Sequence, residues 1–493
     1  MPSIFTLLQA LALLATAAVV NVQAQASAAN SSIDFHALFR PVLSHKANIY
    51  TPGDPQYPGI NERWSNLHNP SYVAAIHPAT EQDVANIVRT AVANNISFLA
   101  TGSAHSVKPG YTSVQAAVNI DLSLMKNIFL DYPNDTVTIG PGVTNNQVYN
   151  VVYDVQRELP LSTDKCISTL GTMIGGGLGT LQGVRGILAD SLLSARLVTA
   201  TGELITVSRT SHPSLFWAIR GAGANFGIVV SATFRLFNQT NGGWSLYGDF
   251  TIPGERNASA FELMRSVDGD LTHGVFWGIL GGFNRTTMQP TLSLRLMVFG
   301  DEAYAAPHVA KARALGPSHE SWENTTWNAY GEPSAIMCER GWSADMWSSG
   351  LARTDVDALV EIWTQWASFA AEHEWFSGLW MQERHSERVL EGIPEEERGV
   401  YPWRDTKVNL VFVNYIDDPR HEAELHEFIR PLRDRVQETM GFEQRHAYVN
   451  EAFGDEGPEV WYGAHNLPRL VALKQQWDPE AKFGPGMPIP LTL

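Results

Sequence analysis

The chain has 493 residues and a net charge of −17, from 34 Lys and Arg against 51 Asp and Glu. Hydrophobic residues make up 44 %, so the chain can build a large core and is not disordered, and its length favours two lobes. This acidic balance argues against a nucleic-acid binder, which needs a basic stripe. Two cysteines cannot form the framework of a disulfide-rich domain.

The first 24 residues are typical of a secretory signal peptide. A mostly apolar run from Leu7 to Val20 is followed by small residues around Ala24, where we expect cleavage. The run has about 14 residues against the roughly 20 that span a bilayer, which makes a membrane anchor the weaker alternative. Sequons of the N-x-S/T type favour a secreted glycoprotein, and they begin at Asn30, Asn95, Asn134, Asn238, Asn257, Asn284 and Asn324.

Strand and helix patterns are mixed along the first half of the chain. A helix is predicted over 78–95, with Glu81 and Asp83 in its first turn, where the helix dipole favours acidic residues. Strands are predicted at 71–76, 96–101, 118–121, 136–142, 192–198, 204–207 and 228–237. Two further helices are predicted at 143–157 and 215–220.

The pattern changes near residue 240, where Asn241-Gly242-Gly243 interrupts it. Beyond it, strands are predicted at 276–280 and 292–298, and helices at 355–371 and 419–440. The Trp residues of this half either fill the core, which we favour, or form a substrate platform.

Glycine-rich loops mark where the backbone can approach a ligand closely. Residues 101–106, Thr-Gly-Ser-Ala-His-Ser, follow a predicted strand, and peptide N–H groups in such a turn bind anions. On its own, His105 is as well explained as a loop residue without a functional role. Residues 171–179 contain three consecutive glycines. Residues 221–227 are also glycine-rich, but they precede a predicted strand, whereas the glycine loop of a nicotinamide-type Rossmann site precedes a helix. The scattered histidines predict no metal site.

In their order, these stretches resemble the FAD-linked oxidoreductases of the vanillyl-alcohol-oxidase superfamily, with the p-cresol-methylhydroxylase (PCMH) type of FAD domain. Within it, the chain resembles the berberine-bridge-enzyme-like group and its fungal secreted members. The resemblance is carried by FLATGSAHS, TLGTMIGGGLGTLQGVRGILADSLLSARLVTATGELITVS and LFWAIRGAGANFGIV. It returns in the tail, at Tyr448-Val449-Asn450 and from Trp461 to Phe483.

The resemblance implies an α+β, two-lobed architecture with an inserted domain. A signal peptide (1–24) and an N-terminal segment (25–65) precede the FAD-binding PCMH-type domain (66–240). An α/β substrate domain (241–445) is inserted before a berberine-bridge-type C-terminal tail (446–493), which returns to the FAD lobe.

The resemblance also implies FAD that is covalently bound through His105. The residues implied to hold it are Thr101, Gly102, Ser103, Ala104, His105, Ser106, Ile167, Thr169, Gly171, Gly175, Gly176, Gly177, Ile228 and Asn466. The chain departs from the family where Thr101 replaces a common Arg and where Ser103 and Ala104 replace usual glycines. Altered contacts to the pyrophosphate are therefore expected, with the histidine still in register.

A second flavin linkage is not expected. Many relatives attach the flavin again through a Cys eleven positions before the three glycines, but here that position is Asp164, two residues before Cys166. We expect Cys166 to be a small buried residue near the flavin, and favour less a flavin linkage after a local backbone shift. A Cys166–Cys338 disulfide is also not favoured, because the two residues fall in different predicted lobes.

Two tail residues are candidates for the catalytic base. Tyr448 matches the first Tyr of the family's Y-x-N-Y stretch and is either a base or a positioning residue. Glu451 stands where the second Tyr is usual and is either a substituted base or a surface carboxylate. Ile167 falls where relatives control oxygen access, and its intermediate size leaves the electron acceptor open.

The implied reaction is oxidation of an alcohol, a phenol or an activated C–H by hydride transfer to FAD, with dioxygen as the favoured acceptor. A small secondary metabolite is the favoured substrate, and oxidation of a mono- or oligosaccharide at its anomeric carbon is the alternative. A secreted flavin-binding protein without turnover is a third reading. No nucleic-acid or membrane partner is expected.

Overall fold

The computed structural model describes residues 33–269, 272–329 and 338–493. The predicted signal peptide and the sequon at Asn30 lie outside the described residues. The fold is α+β, as the sequence implies, with two lobes that are each built on β-sheet. In the described ranges, no helix is long and apolar enough to cross a bilayer.

A four-stranded sheet opens the first lobe, in the order β1-β2-β4-β3. Its strands are β1 (Asn48–Tyr50), β2 (Tyr72–His77), β3 (Phe98–Thr101) and β4 (Ala117–Asp121). Both β2 and β3 pair with β4 in parallel, so their carboxyl ends lie at one edge of the sheet. The loop that follows β3 begins at this edge.

The helix predicted between β2 and β3 forms as Glu81–Ala93. It starts with a capping box, because Thr80 Oγ1 accepts from the Asp83 N–H and Asp83 Oδ2 accepts from the Thr80 N–H, each at 3.0 Å. Its buried face holds Val84, Ile87 and Val88 against the sheet.

An antiparallel sheet in the order β5-β6-β10-β8-β9 completes the first lobe, beside a two-stranded ribbon of β7 and β11. The strands are β5 (Ile128–Asp131), β6 (Thr136–Ile139), β7 (Arg157–Glu158), β8 (Leu192–Val198), β9 (Leu204–Ser208), β10 (Ile228–Arg235) and β11 (Phe237–Asn238). The predicted hairpin is β8–β9, which pairs in antiparallel register.

The second lobe is an antiparallel sheet in the order β15-β12-β14-β13-β17-β18-β16. Its strands are β12 (Trp244–Pro253), β13 (Val275–Asn284), β14 (Gln289–Val298), β15 (His319–Thr326), β16 (Ser343–Leu351), β17 (Phe376–Arg384) and β18 (Val408–Ile416). One face is covered by helices and holds the buried Trp277, Trp347, Trp363, Trp366 and Trp380. The other face looks onto the first lobe and lines the cavity described below.

The described residues form short and long α-helices, numbered here in chain order. They are α1 (Phe35–Phe39), α2 (Tyr57–Ile60), α3 (Glu81–Ala93), α4 (Asn145–Asp154), α5 (Thr169–Met173), α6 (Gln182–Arg185), α7 (Pro213–Ala222), α8 (Asn257–Ser266), α9 (Glu302–Ala314), α10 (Val356–Glu372), α11 (Arg388–Glu391), α12 (Glu422–Thr439), α13 (Pro458–Tyr462) and α14 (Leu467–Trp477). The tail helices α13 and α14 pack on the first lobe, where Leu467 and Leu470 join its core.

The expectation against a disulfide is wrong. Cys166 and Cys338 form one, with their Cα atoms 5.4 Å apart. The argument from separate lobes failed because the segment just before β16 crosses to the first lobe. There the Arg340 guanidinium donates to the Ser103 carbonyl at 3.3 Å, and Trp342 forms a bridge with Ser65.

Replacing both cysteines by alanine should lower the unfolding free energy by about 2–4 kcal/mol, because the crosslink restricts the unfolded chain over 172 residues of sequence separation. Thermal unfolding with and without reductant measures this, and reduced wild type should match the double variant. Maleimide labelling of both thiols in unreduced, denatured protein would contradict the pairing.

Candidate active site

A cavity of about 460 Å³ lies between the two lobes. The first lobe lines it with the loop after β3, residues around 162–175 and the turn before β10. The second lobe contributes side chains from β12, β13, β14, β16, β17 and β18, and the tail contributes residues 448–451 and 482–487. Most of the predicted site residues therefore meet in one place.

The loop after β3 is held close to the backbone of the first lobe. Thr101 Oγ1 donates to Asn119 Oδ1 at 2.8 Å, and Ser103 Oγ accepts from the Ser168 N–H at 2.9 Å. A Cβ added at Gly102 would lie 3.0 Å from Ser168 Cβ, so a glycine suits this position. The loop keeps its peptide groups at the cavity wall.

Ala104 has a left-handed backbone with φ of +56°. This explains why glycine is usual there in the family, since a Cβ is strained in that region. The alanine at this position therefore adds backbone strain to the loop.

Ala104→Gly should raise the unfolding free energy by about 0.5–1 kcal/mol, since relief of the strain outweighs the added freedom of the unfolded chain. The matched control is Ala310→Gly on the exposed face in the interior of α9, which should lower the unfolding free energy by a similar amount. Thermal unfolding measures both. A loss of stability in Ala104→Gly would contradict the strain argument.

His105 lines the cavity and is half-buried. Its ring stacks on the buried Trp64, with centroids 6.1 Å apart and planes at 17°. Its Nδ1 lies 3.1 Å from the Ser103 carbonyl oxygen. Arg63 Nη2 donates to the Ser106 carbonyl at 2.9 Å, which fixes the end of the loop. These contacts orient the imidazole at the cavity.

Ile167, Gly171, Gly175 and Ile228 also line the cavity. Other predicted contacts lie behind its wall: Thr169 Oγ1 donates to Asn145 Oδ1, Gly176 packs under Tyr401, and Gly177 donates its N–H to Tyr448. Asn466 does not line the cavity, because its amide donates to the Val400 and Tyr462 carbonyls at the start of α14. These residues, Thr169, Gly176, Gly177 and Asn466, therefore support the structure around the cavity and do not line it.

Tyr448 lines the cavity, but its hydroxyl points into the glycine segment. The oxygen accepts from the N–H groups of Gly177 at 3.1 Å and Leu178 at 3.3 Å, and from Asn450 Nδ2 at 2.7 Å. Burial raises the pKa of this hydroxyl above its usual value. The geometry suits a residue that anchors the tail to the glycine segment.

Glu451 lies in the cavity and not on the outer surface. Its Oε2 is buried and has no hydrogen-bond partner among the described residues. Burial, together with the charges of Glu383 and Asp164, raises the pKa of Glu451 to about 8, against the opposing charge of Lys108. A carboxyl with a pKa near neutrality in a cavity suits proton transfer.

Two further carboxyls of the cavity were not predicted as site residues. Glu383 faces the cavity from β17, and burial with the charge of Asp164 raises its pKa to about 7, against the opposing charge of Arg295. Asp164 was noted only as a replaced cysteine, and burial raises its pKa to about 6. The sequence marks Asp164 by its position eleven residues before the three glycines. It does not mark Glu383, because a polar residue on a strand is expected whether or not the strand carries a functional site.

Strand register places Glu383 in a row across the second sheet. Glu383 on β17 and Arg295 on β14 are both registered opposite Gly278 on β13, and Arg295 is opposite Asp249 on β12. Gly278 has no side chain, and the ring of Phe276 fills the space there, since a Cβ added at Gly278 would lie 3.0 Å from it. Arg295 Nε lies 3.4 Å from Asp249 Oδ2.

Lys108 is a buried cation that contacts the tail beside Glu451. Its ammonium donates to the Asn450 carbonyl at 3.0 Å and to the Ala452 carbonyl. Burial lowers its pKa to about 8, against the charges of Glu456 and Glu451. These bonds hold the main chain on either side of Glu451 in place.

The comparisons identify the family. A family model described as an FAD binding domain matches residues 73–208, and one described as berberine and berberine like matches residues 447–490. The FAD-linked oxidoreductase fmqD of Aspergillus fumigatus is 46 % identical over 93 % of this chain and 94 % of its own. The chain therefore belongs to the FAD-linked oxidoreductases of the berberine-bridge-enzyme-like group, as the sequence motifs indicated.

Further relatives and solved structures agree. The FAD-linked oxidoreductase tazL of Aspergillus terreus is 38 % identical over 95 % of this chain and 97 % of its own. Physcomitrella patens BBE-like 1 superposes with a TM-score of 0.82 at 17 % identity, covering 94 % of this chain and 100 % of that one. A xylooligosaccharide oxidase from Myceliophthora thermophila superposes with a TM-score of 0.79 at 20 % sequence identity, covering 92 % of this chain and 98 % of that one. These structures establish the shared fold.

The residues of the cavity fit FAD. The peptide groups of residues 101–106 would hold the pyrophosphate, and Gly102 lacks the Cβ that would crowd Ser168. Phe98 and Phe483 supply apolar walls of the same cavity, with ring centroids 5.6 Å apart. In the described residues, no group of three His, Cys, Asp or Glu side chains is arranged to hold a metal ion.

Proposed function

We propose that this enzyme oxidises a small organic substrate at an alcohol, a phenol or an activated C–H, with Glu451 as the base. The observation that carries the proposal is the buried, unpartnered Oε2 of Glu451 in the cavity that the FAD-binding loops line. Bound FAD supplies the hydride acceptor, and dioxygen is the expected oxidant of the reduced cofactor. The protein's own residues would bind the substrate and accept its proton.

Glu451 would take the substrate proton at its free carboxylate oxygen. Burial, together with the charges of Glu383 and Asp164, holds the pKa of Glu451 high enough for it to accept a proton near neutral pH, while Lys108 limits the rise. Tyr448 positions the tail through its bonds to the glycine segment. The apolar side chains on the cavity face of the second sheet, such as Phe276, Leu379 and Met381, would limit the access of water to the reacting atoms.

His105 would carry the covalent bond to FAD. Its place on the cavity wall, stacked on Trp64, supports this role. Cys166 would not form a second bond, because its sulfur is joined to Cys338.

Acid precipitation of the purified enzyme tests the linkage. The yellow cofactor should stay with the wild-type pellet and be released from His105→Ala. Asn466→Ala is the control, since its side chain lies outside the cavity and should leave the linkage intact. Release of the colour from wild-type protein would refute covalent attachment.

A substrate panel tests the reaction itself. Anaerobic mixing with small apolar metabolites should bleach the flavin, and cello- or chito-oligosaccharides should not. Bleaching by the sugars would favour the alternative of an anomeric-carbon oxidase. A flavin that no compound bleaches would favour the non-catalytic alternative.

We also propose that the enzyme is secreted and N-glycosylated. The N-terminal leader pattern supports export, and five of the sequon asparagines are exposed, at positions 95, 134, 238, 284 and 324. N-terminal sequencing of culture-medium protein, and its mass before and after enzymatic deglycosylation, test both statements.

A further inference from the structure

A short segment of the second lobe lies against the first lobe beside the FAD-binding loop. We call residues 338–342, which come just before β16, the bridging segment. At its start, Cys338 is joined to Cys166 of the first lobe. At its end, the Trp342 N–H donates to the Trp64 carbonyl at 3.0 Å. The bridging segment is therefore fixed to the first lobe at both ends.

Arg340 lies in the middle of the bridging segment and joins two main-chain carbonyls of the first lobe. Its guanidinium donates to the Glu62 carbonyl and, at 3.3 Å, to the Ser103 carbonyl. A guanidinium presents its donors in a planar fork, which suits it to connect two acceptors. The Arg340 side chain is exposed, so these bonds and not burial fix its position.

The bridging segment contacts both groups that support the His105 ring. One is the Ser103 carbonyl, whose oxygen lies 3.1 Å from His105 Nδ1 and also accepts from Arg340. A carbonyl oxygen has two acceptor sites, so it can bind both groups. The other support is the indole of Trp64, which stacks on the imidazole and whose main chain bonds to Trp342. The second lobe therefore restrains the orientation of the imidazole.

We propose that Arg340 is a positioning residue for the covalent bond between His105 and FAD, and that the Cys166–Cys338 bond holds Arg340 in place. This inference rests on the proposed function, because the linkage through His105 is part of that proposal. A displacement of a reacting atom by about 1 Å can cost about two orders of magnitude in rate. Restraint of the imidazole from the second lobe should therefore speed the linkage.

The linkage consumes an oxidant. One N–H bond of the imidazole and one C–H bond of the flavin 8α-methyl group break, and an N–C bond forms between them. The two protons and two electrons that are released reduce dioxygen, the expected oxidant, to hydrogen peroxide. Arg340 takes no part in these bond changes, because it acts on the imidazole through the Ser103 carbonyl.

The share of bound flavin that is covalently linked tests the proposal. Acid precipitation leaves linked flavin in the pellet and releases the rest, and absorbance before precipitation gives the total flavin per chain. In Arg340→Met and wild-type protein harvested at the same early time, the ratio of linked to released flavin should be at least about tenfold lower in the variant. The total flavin per chain should stay unchanged.

A matched control and a conservative variant separate positioning from folding. Arg353→Met also removes an exposed arginine of the second lobe that donates to a main-chain carbonyl, that of Thr439, and it should keep the wild-type ratio. Arg340→Lys should recover part of the ratio, since an ammonium can still donate to a carbonyl. The unfolding temperature should be the same in all three variants, because both arginines are exposed.

The disulfide is tested by Cys166→Ala with Cys338→Ala, assayed at a temperature where this variant is fully folded. The ratio of linked to released flavin should fall as in Arg340→Met. Adding Arg340→Met to the cysteine variant should lower the ratio little further, because both changes release the same segment. An unchanged ratio in Arg340→Met, or losses that multiply in the combined variant, would overturn the inference.

Failure of the proposed linkage gives a different result. If wild-type protein releases all of its flavin in acid, His105 carries no covalent bond, and the linkage and the role of Arg340 are both refuted. If wild-type flavin stays in the pellet and Arg340→Met has the same ratio, the linkage stands and only the positioning role is refuted.

Discussion

Glu451→Gln should reduce the rate of flavin reduction by about two to four orders of magnitude, the usual contribution of a positioned general base. Glutamine preserves the shape of the side chain but cannot accept the substrate proton. The cofactor should remain bound, because the residues that hold it are unchanged. Anaerobic stopped-flow reduction, with any substrate that bleaches the wild-type flavin, measures the loss.

Tyr448→Phe is the matched comparison. This substitution removes a hydroxyl that accepts three hydrogen bonds, and it leaves the carboxylates of the cavity unchanged. It should therefore weaken cofactor retention and thermal stability more than proton transfer. If Tyr448→Phe loses the larger part of the reduction rate and Glu451→Gln keeps most of it, the base has been assigned to the wrong residue.

The pH dependence gives a second readout of Glu451. With its pKa at about 8, the wild-type reduction rate should rise up to that pH as the carboxyl loses its proton, and then level off. The groups that set this value from the surrounding elements are Glu383, Asp164 and Lys108. The rise should be absent from the residual rate of Glu451→Gln.

Stability should show the opposite trend with pH. The folded pKa of about 8 lies above the ordinary value of 4.5, so the native state binds more protons than the unfolded chain between those values. The carboxyl therefore costs stability as pH rises through this window. At pH 8, Glu451→Gln should be more stable than wild type by on the order of 2 kcal/mol, with little difference near pH 4.5.

Local sequence was sufficient for the part of the site that is built from continuous loops. The turn after β3 carries His105 within a few residues of its strand, and the tail brings Tyr448 and Glu451 together in four positions. The capped helix α3 was predicted for the same reason, since its first-turn signals are adjacent in the chain. In such cases the residues that decide the structure are sequence neighbours.

Contacts between residues far apart in the sequence determine the parts of the site that the sequence did not predict. Glu383 becomes a site residue only because β17 lies beside β13 and one face of that sheet covers the first lobe. The Cys166–Cys338 bond likewise depends on the path of the segment before β16. The same sheet explains why the large Trp residues, such as Trp363 and Trp380, fill the helix-covered face and leave the cavity wall to smaller side chains.

Lys474→Met should lower the unfolding free energy by roughly 3–5 kcal/mol, because it leaves a buried carboxylate without its cation. Lys474 Nζ donates to Asp478 Oδ2 at 2.6 Å, and both side chains are fully buried. The ammonium also donates to the carbonyls of Asn225 at 2.9 Å and Phe483 at 3.0 Å. One cation therefore joins α14 to the glycine-rich turn before β10 and to the cavity-lining end of the tail.

Loss of this junction should also loosen the cofactor. Phe483 and Gly484 line the cavity, and Asp478 Oδ2 accepts the Phe483 N–H at 2.9 Å. Thermal unfolding, followed by the rise of flavin fluorescence, should start at a clearly lower temperature in Lys474→Met. Lys311→Met on the exposed surface of α9 is the control, because that side chain lies outside the cavity and should contribute little.

The double variant Lys474→Met with Asp478→Leu separates charge from packing. Removing both members takes away the unpaired carboxylate, so this variant should recover a substantial part of the stability that Lys474→Met alone loses. A double variant no more stable than the single one would mean that the carbonyl contacts to Asn225 and Phe483, and not the ion pair, hold the tail. Equal stability of wild type and Lys474→Met would refute both accounts, since it would leave the tail fixed by the apolar contacts of α14 alone.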